Sequence, residues 1–266
     1  RRRRSPCDRK DLIMDLGLAD RVFLVTAASA GLGRATADQL VAEGARVVLV
    51  ARRAELLDEA VSRLGPDRAV PLAADLAEPG TAETACALAL DTFGRLDGAL
   101  ISVGGPPAGS VLGTTEEQWR SAFDSVFLAA LRVSGTVVRH GTASDLCIAW
   151  VLSTSVKTPV PGLATSNGLR PGLAMLVKQL ADELGPQGTR VIGLMPGAIE
   201  TERATYLNSL KDDPEAARAS AEAAIPLRRY GRPEEFGRVA AFLLSPAASY
   251  LTGSVIPVEG GAQRGL

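Results

Sequence analysis

The sequence predicts an α/β domain: a doubly wound parallel sheet of about seven strands with helices on both faces. Three observations predict it. Short apolar runs alternate with helically periodic segments from Arg21 onward, which implies parallel strands joined by right-handed crossovers. A turn bearing Gly31 and Gly33 joins the first run to the first helical segment. No low-complexity linker, internal repeat or second composition regime interrupts residues 15–266, so a single domain is expected there.

The elements follow in order. Arg21–Thr26 is an apolar, β-branched-rich run ended by small residues, the first strand. Arg34–Glu43 places Ala35, Leu40 and Val41 at helical spacing, and Gly44 is a natural stop before the second strand, Val47–Val50. A helix over Ala54–Leu64 ends at Gly65-Pro66, and Ala69–Ala73 is strand-like. A helix near Thr81–Thr92 precedes the fourth strand, Gly98–Ser102. One long helix is expected to cover Trp119–Val138, followed by a strand at Cys147–Leu152. A helix over Gly168–Leu184, a strand at Arg190–Met195 and a last strand at Ser254–Val258 complete the set.

Composition narrows the function classes. The 266 residues suffice for a sizeable core, with 46% hydrophobic and 22% charged, ordinary globular values. A net charge of −1 gives no electrostatic reason to expect nucleic acid or a membrane surface as partner. No apolar run of the sequence approaches the roughly 20 residues that span a bilayer. Cys7, Cys86 and Cys147 are odd in number and lack CxxC spacing, so they read as free thiols in a cytoplasmic protein. No metal site is expected, and His140, the only histidine, sits in a polar stretch that favours a surface role. Residues 1–14 stand apart as a basic, disordered tail, with Met14 a candidate natural start. Leu12-Ile13-Met14 is too short an apolar stretch for a twin-arginine signal.

The turn after the first strand reads Thr26-Ala27-Ala28-Ser29-Ala30-Gly31-Leu32-Gly33. Its glycines admit close approach of backbone to a pyrophosphate, and the following helix directs its N-terminal N–H groups there. After the second strand stand Arg52 and Arg53, where an acidic residue would accept from a ribose 2′-hydroxyl and repel a 2′-phosphate. A guanidinium pairs with a phosphate, so Arg52, helped by Arg53, favours NADP(H), with Ser29 placed to assist.

These motifs resemble the short-chain dehydrogenase/reductase family, whose 3-oxoacyl-carrier-protein-reductase-like branch is nearest in look, and imply its Rossmann-type fold. The family's TGxxxGxG signature is matched with Ala27 in place of the first glycine; alanine disfavours positive φ, so the turn must tolerate a Cβ there. Asp75 and Leu76 match the adenine-contacting position. Ile101-Ser102-Val103-Gly104-Gly105 stands where the family has NNAG, so Ser102 and Gly104 are expected beside the nucleotide. Pro196-Gly197-Ala198-Ile199-Glu200-Thr201 matches PGxxxT, which implies that the Ile199 backbone and Thr201 hydroxyl hold the nicotinamide carboxamide. The likeness spans about residues 19–262, including Gly231-Arg232-Pro233-Glu234-Glu235 and Val258-Glu259-Gly260-Gly261 near its end.

The catalytic pattern departs from the family. Its Ser is present as Ser153. Ser166 and Arg170 stand where the Tyr-x-x-x-Lys pair is expected, and Val126 stands at the Asn position. Residues 166 and 170 share a helix face. Arg170 can hold ribose hydroxyls but stays protonated, unlike a relay lysine. Ser166 is too weak an acid to replace tyrosine and is limited to passing a proton from water. Tyr206, in the segment the family uses as a lid, and Lys157 are the further candidates for assisting. A Ser–His–Asp hydrolase is disfavoured by the single histidine and the lack of a GxSxG elbow. Halohydrin dehalogenases, which carry Arg at the Lys position, keep the Tyr and fill the nicotinamide site, so that reading ranks low. Two readings stay open: an NADP(H)-dependent oxidoreductase acting on a small carbonyl or alcohol as a homotetramer or homodimer, and a nucleotide-binding sensor or assembly protein with little or no hydride transfer.

Overall fold

The computed structural model describes residues 14–265. The basic run at Arg1–Arg4 and Cys7 lie outside the described residues. The strands are β1 (Val22–Thr26), β2 (Arg46–Ala51), β3 (Ala69–Ala73), β4 (Gly98–Ile101), β5 (Cys147–Val151), β6 (Arg190–Pro196) and β7 (Val255–Val258). They form one parallel sheet in the order β3-β2-β1-β4-β5-β6-β7. Strands β1, β4 and β5 are buried along their whole length, which explains why they read as continuous apolar runs rather than alternating ones. The edge strands β3 and β7 are only partly buried and carry Pro71 and Pro257, residues that cannot donate to a further strand.

Nine α-helices cover the two faces among the described residues: α1 (Gly31–Ala42), α2 (Ala54–Leu64), α3 (Thr81–Phe93), α4 (Glu116–Ala122), α5 (Ala129–His140), α6 (Ala164–Leu184), α7 (Glu202–Ser209), α8 (Pro214–Ala224) and α9 (Pro233–Leu244). Leu40 of α1, Leu57 of α2 and Phe236 of α9 pack with Phe23 and Leu49 on one face. On the other, Ala85 of α3, Val133 of α5 and Val177 of α6 pack with Leu24, Ile148 and Trp150. Buried Trp150 keeps its indole N–H satisfied by donating to Ser134 Oγ at 2.9 Å. The strand order reverses between β1 and β4, and that switch point opens a crevice at the carboxyl edge of the sheet.

The expected strands match within about a residue at each end. Two helices differ. The long helix expected over Trp119–Val138 is interrupted by a π-helical turn at Phe123–Leu128, which contains Val126. Periodicity does not reveal such a turn, because apolar spacing continues on both sides of it. Helix α6 begins at Ala164 rather than Gly168. Gly168 is there for packing, not for stopping the helix: a Cβ at that position would lie 2.8 Å from the Trp119 ring. The continuous stretch Glu116–His140 is, by length and composition, apolar enough to cross a membrane; in this fold Val126, Val133 and Val137 on it are buried against the sheet.

Candidate functional site

A cleft of about 1510 Å³ follows the carboxyl edge of the sheet. It gathers every residue expected at the nucleotide: Ser29, Gly31, Leu32, Gly33, Arg52, Arg53, Asp75, Leu76, Ser102, Gly104, Pro196, Gly197, Ile199 and Thr201. At the β1–α1 turn the backbone takes positive φ at both Ala27 (50°) and Gly31 (59°). Ala27 therefore carries left-handed strain that a glycine would not. Gly33 answers a different need, since a Cβ there would sit 2.6 Å from the Ala27 carbonyl oxygen and 2.7 Å from that of Thr26. Helix α1 has Ala30 as its N-cap residue, with no side-chain cap and no acidic residue in its first turn. Its leading N–H groups thus remain available to an anion, as a dinucleotide pyrophosphate requires.

The neighbouring strand ends shape the remaining wall. Thr26 Oγ1 donates to the Ser102 carbonyl at 2.5 Å and accepts from the Ser102 N–H at 2.8 Å, tying the ends of β1 and β4 together. Asp75 Oδ1 accepts from Ala77 N–H at 2.9 Å, which shapes the chain just after β3. Thr201 Oγ1 caps α7 by accepting from Ala204 N–H at 3.2 Å, and its methyl lies 3.5 Å from where a Gly31 Cβ would be.

The two arginines after β2 take different places. Arg53 lies against Ser29, with Nη2 3.3 Å from Ser29 Oγ, and it pairs with Glu202 of α7 at 3.0 Å. Arg52 is 76% exposed and stands 3.9 Å from Asp75. The sequence favours Arg52 as the main phosphate partner; the structure brings Arg53, not Arg52, together with Ser29.

At the other end, Ser153 Oγ accepts from Ser155 N–H at 3.1 Å, leaving its own hydroxyl proton free to donate. Ser166, on the first turn of α6, is buried and shares a hydrogen bond with Ser155 Oγ at 3.1 Å. Arg170 is buried one helical turn on. Its Nη1 donates to the Val151 carbonyl at 2.7 Å and to that of Leu152 at 3.1 Å. Burial first, and the charge of Arg203 second, push its pKa down to about 10, so it remains a cation at neutral pH. Ser153, Ser166, Arg170 and Tyr206 all line the cleft. Lys157 does not. It follows the short 3₁₀ turn Thr154–Val156, is exposed, and its expected place beside the carbonyl is not borne out by the geometry. Val126 fills the buried interior of the π-helical turn and offers no polar group.

Two residues of the site escape sequence reasoning as participants. Ser155 links Ser153 to Ser166, although only adjacency in sequence marks it. Arg203 lines the cleft from α7, donates to the Pro106 carbonyl at 2.6 Å and sits 5.4 Å from the Tyr206 ring centroid. Its one sequence signal is a charge two residues beyond Thr201, on a segment with no diagnostic pattern. The described residues hold no cluster of metal-ligating side chains, and Cys86 and Cys147 are buried free thiols. His140 lies 2.7 Å from Glu83 on the surface, far from any catalytic arrangement.

Comparison with known proteins agrees with this geometry. The family profile described as enoyl-(acyl carrier protein) reductase matches residues 26–263. The chain is 34% identical over 261 residues to levodione reductase of Leifsonia aquatica, covering 91% of this chain and 94% of that protein. It is 32% identical over 255 residues to dehydrogenase/reductase SDR family member 4 of Homo sapiens, covering 94% and 90% respectively. The fold is similar to L-sorbose reductase from Gluconobacter frateurii complexed with NADPH and L-sorbose, with TM-score 0.88 and 28% identity over 95% of this chain and 100% of the other. A short-chain dehydrogenase/reductase from Brucella melitensis gives TM-score 0.88 and 29% identity at the same coverages.

Proposed function

Because this chain belongs to the short-chain dehydrogenase/reductase family of oxidoreductases, we propose that it uses NADP(H) to interconvert a small carbonyl compound and its alcohol. The observation that carries the cofactor preference is Arg53 beside Ser29 at the end of β2, with Arg52 adjacent: two cations and a hydroxyl where a 2′-phosphate would lie. The uncapped start of α1 would receive the diphosphate, and Thr201 with the Ile199 backbone would orient the nicotinamide amide. When bound, NADPH supplies the hydride that reaches the carbonyl carbon.

The chain's own residues handle the oxygen. Ser153 donates its hydroxyl proton as a hydrogen bond to the substrate oxygen, while its acceptor side is held by Ser155 N–H. The Ser155–Ser166 hydroxyl pair passes a water proton toward the same place, since no tyrosine stands at position 166. Arg170 is fixed by the Val151 and Leu152 carbonyls and presents its remaining donors to the ribose. A proton delivered through serine hydroxyls is slower than one from an acidified phenol, so turnover is expected to be low.

A homodimer or homotetramer is part of the proposal, supported by exposed Met175 on α6 and exposed Phe123 ahead of α5. A cytoplasmic setting is supported by the two buried free thiols. The test is a panel of carbonyl compounds followed by loss of NADPH absorbance. Turnover dependent on NADPH and diminished in Ser153→Ala supports the reading. Binding of NADPH without turnover across the panel would favour instead a nucleotide-binding role without hydride transfer, the reading that Ser166 and Arg170 at the Tyr and Lys positions support.

A further inference from the structure

Arg53 and Glu202 meet from distant parts of the sheet. Arg53 follows β2, and Glu202 opens α7 just after β6. Strands β1, β4 and β5 lie between those two. Neighbouring strands stand about 4.8 Å apart, so the ends of β2 and β6 are separated by roughly 19 Å. The side chains nevertheless touch, with Arg53 Nη1 3.0 Å from Glu202 Oε2. The pair therefore reaches across the crevice at the carboxyl edge, over the path a dinucleotide would take. Two further contacts draw the same segment inward. The Thr201 methyl lies 3.5 Å from where a Gly31 Cβ would be, and Arg203 donates to the Pro106 carbonyl at 2.6 Å. No residue of α7 is buried, so these ties rather than core packing set its position.

We propose that Glu202 is a cofactor-specificity residue, the internal rival of the 2′-phosphate of NADP(H): the two anions exchange on the Arg53 guanidinium. The inference rests on the NADP(H) reading above and adds the residue that opposes it. Arg53 Nε and Nη2 stand 3.4 and 3.3 Å from the neutral Ser29 hydroxyl, so the Glu202 carboxylate is the tie that an arriving anion must replace. Both side chains face solvent, 48% exposed for Arg53 and 67% for Glu202, which makes the pair weak enough for a phosphate to displace. NADH carries a hydroxyl at the same position, brings no anion to Arg53 and leaves the pair intact. Glu202 therefore weakens the binding of NADPH and not that of NADH.

The test is calorimetric titration of the full chain and its variants at fixed ionic strength. The ligands are NADPH, NADH and adenosine 2′,5′-bisphosphate, which carries the 2′-phosphate but no nicotinamide. Glu202 is exposed and glutamine keeps its size, so Glu202→Gln leaves the fold intact. It is expected to tighten NADPH and the bisphosphate by about two- to fivefold and to leave NADH unchanged. In an Arg53→Ala background the same substitution should add nothing, because the rivalry needs the guanidinium. Unchanged or weaker NADPH binding in Glu202→Gln would overturn the proposal. So would an equal gain for NADH, or a gain for NADPH without one for the bisphosphate, either of which makes the carboxylate an obstacle to the dinucleotide as a whole. A gain that persists in Arg53→Ala would make Glu202 a direct repulsive neighbour of the phosphate, and the exchange would be wrong. Failure of the unaltered protein to bind NADPH, or undiminished NADPH affinity in Arg53→Ala alone, is a separate result that sinks the cofactor reading beneath.

Discussion

Replacing Arg170 by Met removes a buried cation while keeping most of the side-chain volume, and the structure sets the scale of the effect. The fall of its pKa from 12.5 to about 10 corresponds to about 3 kcal/mol lost in keeping the charge buried near Arg203. Against that, two charge-assisted hydrogen bonds to the Val151 and Leu152 carbonyls contribute roughly 3–6 kcal/mol together. The difference leaves the Met variant up to about 3 kcal/mol less stable, a drop in Tm of at most roughly 12 °C for a domain of this size. Cofactor affinity should suffer more in proportion. Losing the ribose-facing donors is expected to weaken NADPH binding by about tenfold or more. Urea unfolding without nucleotide and fluorescence titration with NADPH separate the two effects. NADPH affinity unchanged in Arg170→Met would show that the guanidinium only braces the end of β5, and the assignment of its free donors to a ligand would be refuted.

Arg53→Ala should lower NADPH affinity by about tenfold and leave NADH affinity nearly intact, whereas Arg52→Ala should matter less, since only Arg53 meets Ser29; paired titrations decide it. Ala27→Gly should relieve about 1–2 kcal/mol of left-handed strain and lose about 0.4–1 through a freer unfolded chain, so a Tm rise of up to roughly 6 °C is expected by calorimetry. Glu235 is held below its ordinary 4.5, at about 2, first by Arg229 and then by the Arg232 N–H at the start of α9. Its folded pKa is the lower one, so its stabilisation is complete above pH 4.5 and disappears as pH falls toward about 2. Glu235→Gln should flatten the dependence of Tm on pH within that window.

The sheet was legible because buried parallel strands are short apolar runs bounded by turns, and nothing else in Val22–Thr26 or Cys147–Val151 competes with that signal. The nucleotide wall was legible for a related reason: Gly31 and Gly33 are demanded by backbone geometry, and backbone demands leave marks in sequence. What stayed hidden depends on where side chains turn. Arg52 and Arg53 are neighbours in sequence, and only the three-dimensional placement of Ser29 and Glu202 separates their roles. Lys157 is two residues from Ser155, yet the 3₁₀ turn sends it to solvent. Arg203 belongs to α7, a helix without an apolar pattern, and its partner Pro106 is 97 positions away. The π-helical turn around Val126 is invisible to any rule based on 3.6-residue spacing.

Calorimetric titration of the unaltered protein with NADPH and, separately, NADH tests the central claim most directly. One-to-one binding of NADPH, at least about tenfold tighter than NADH, is the result this structure predicts from its guanidinium-lined β2 end. Equal affinity for the two, or no heat from either at millimolar nucleotide, would contradict it.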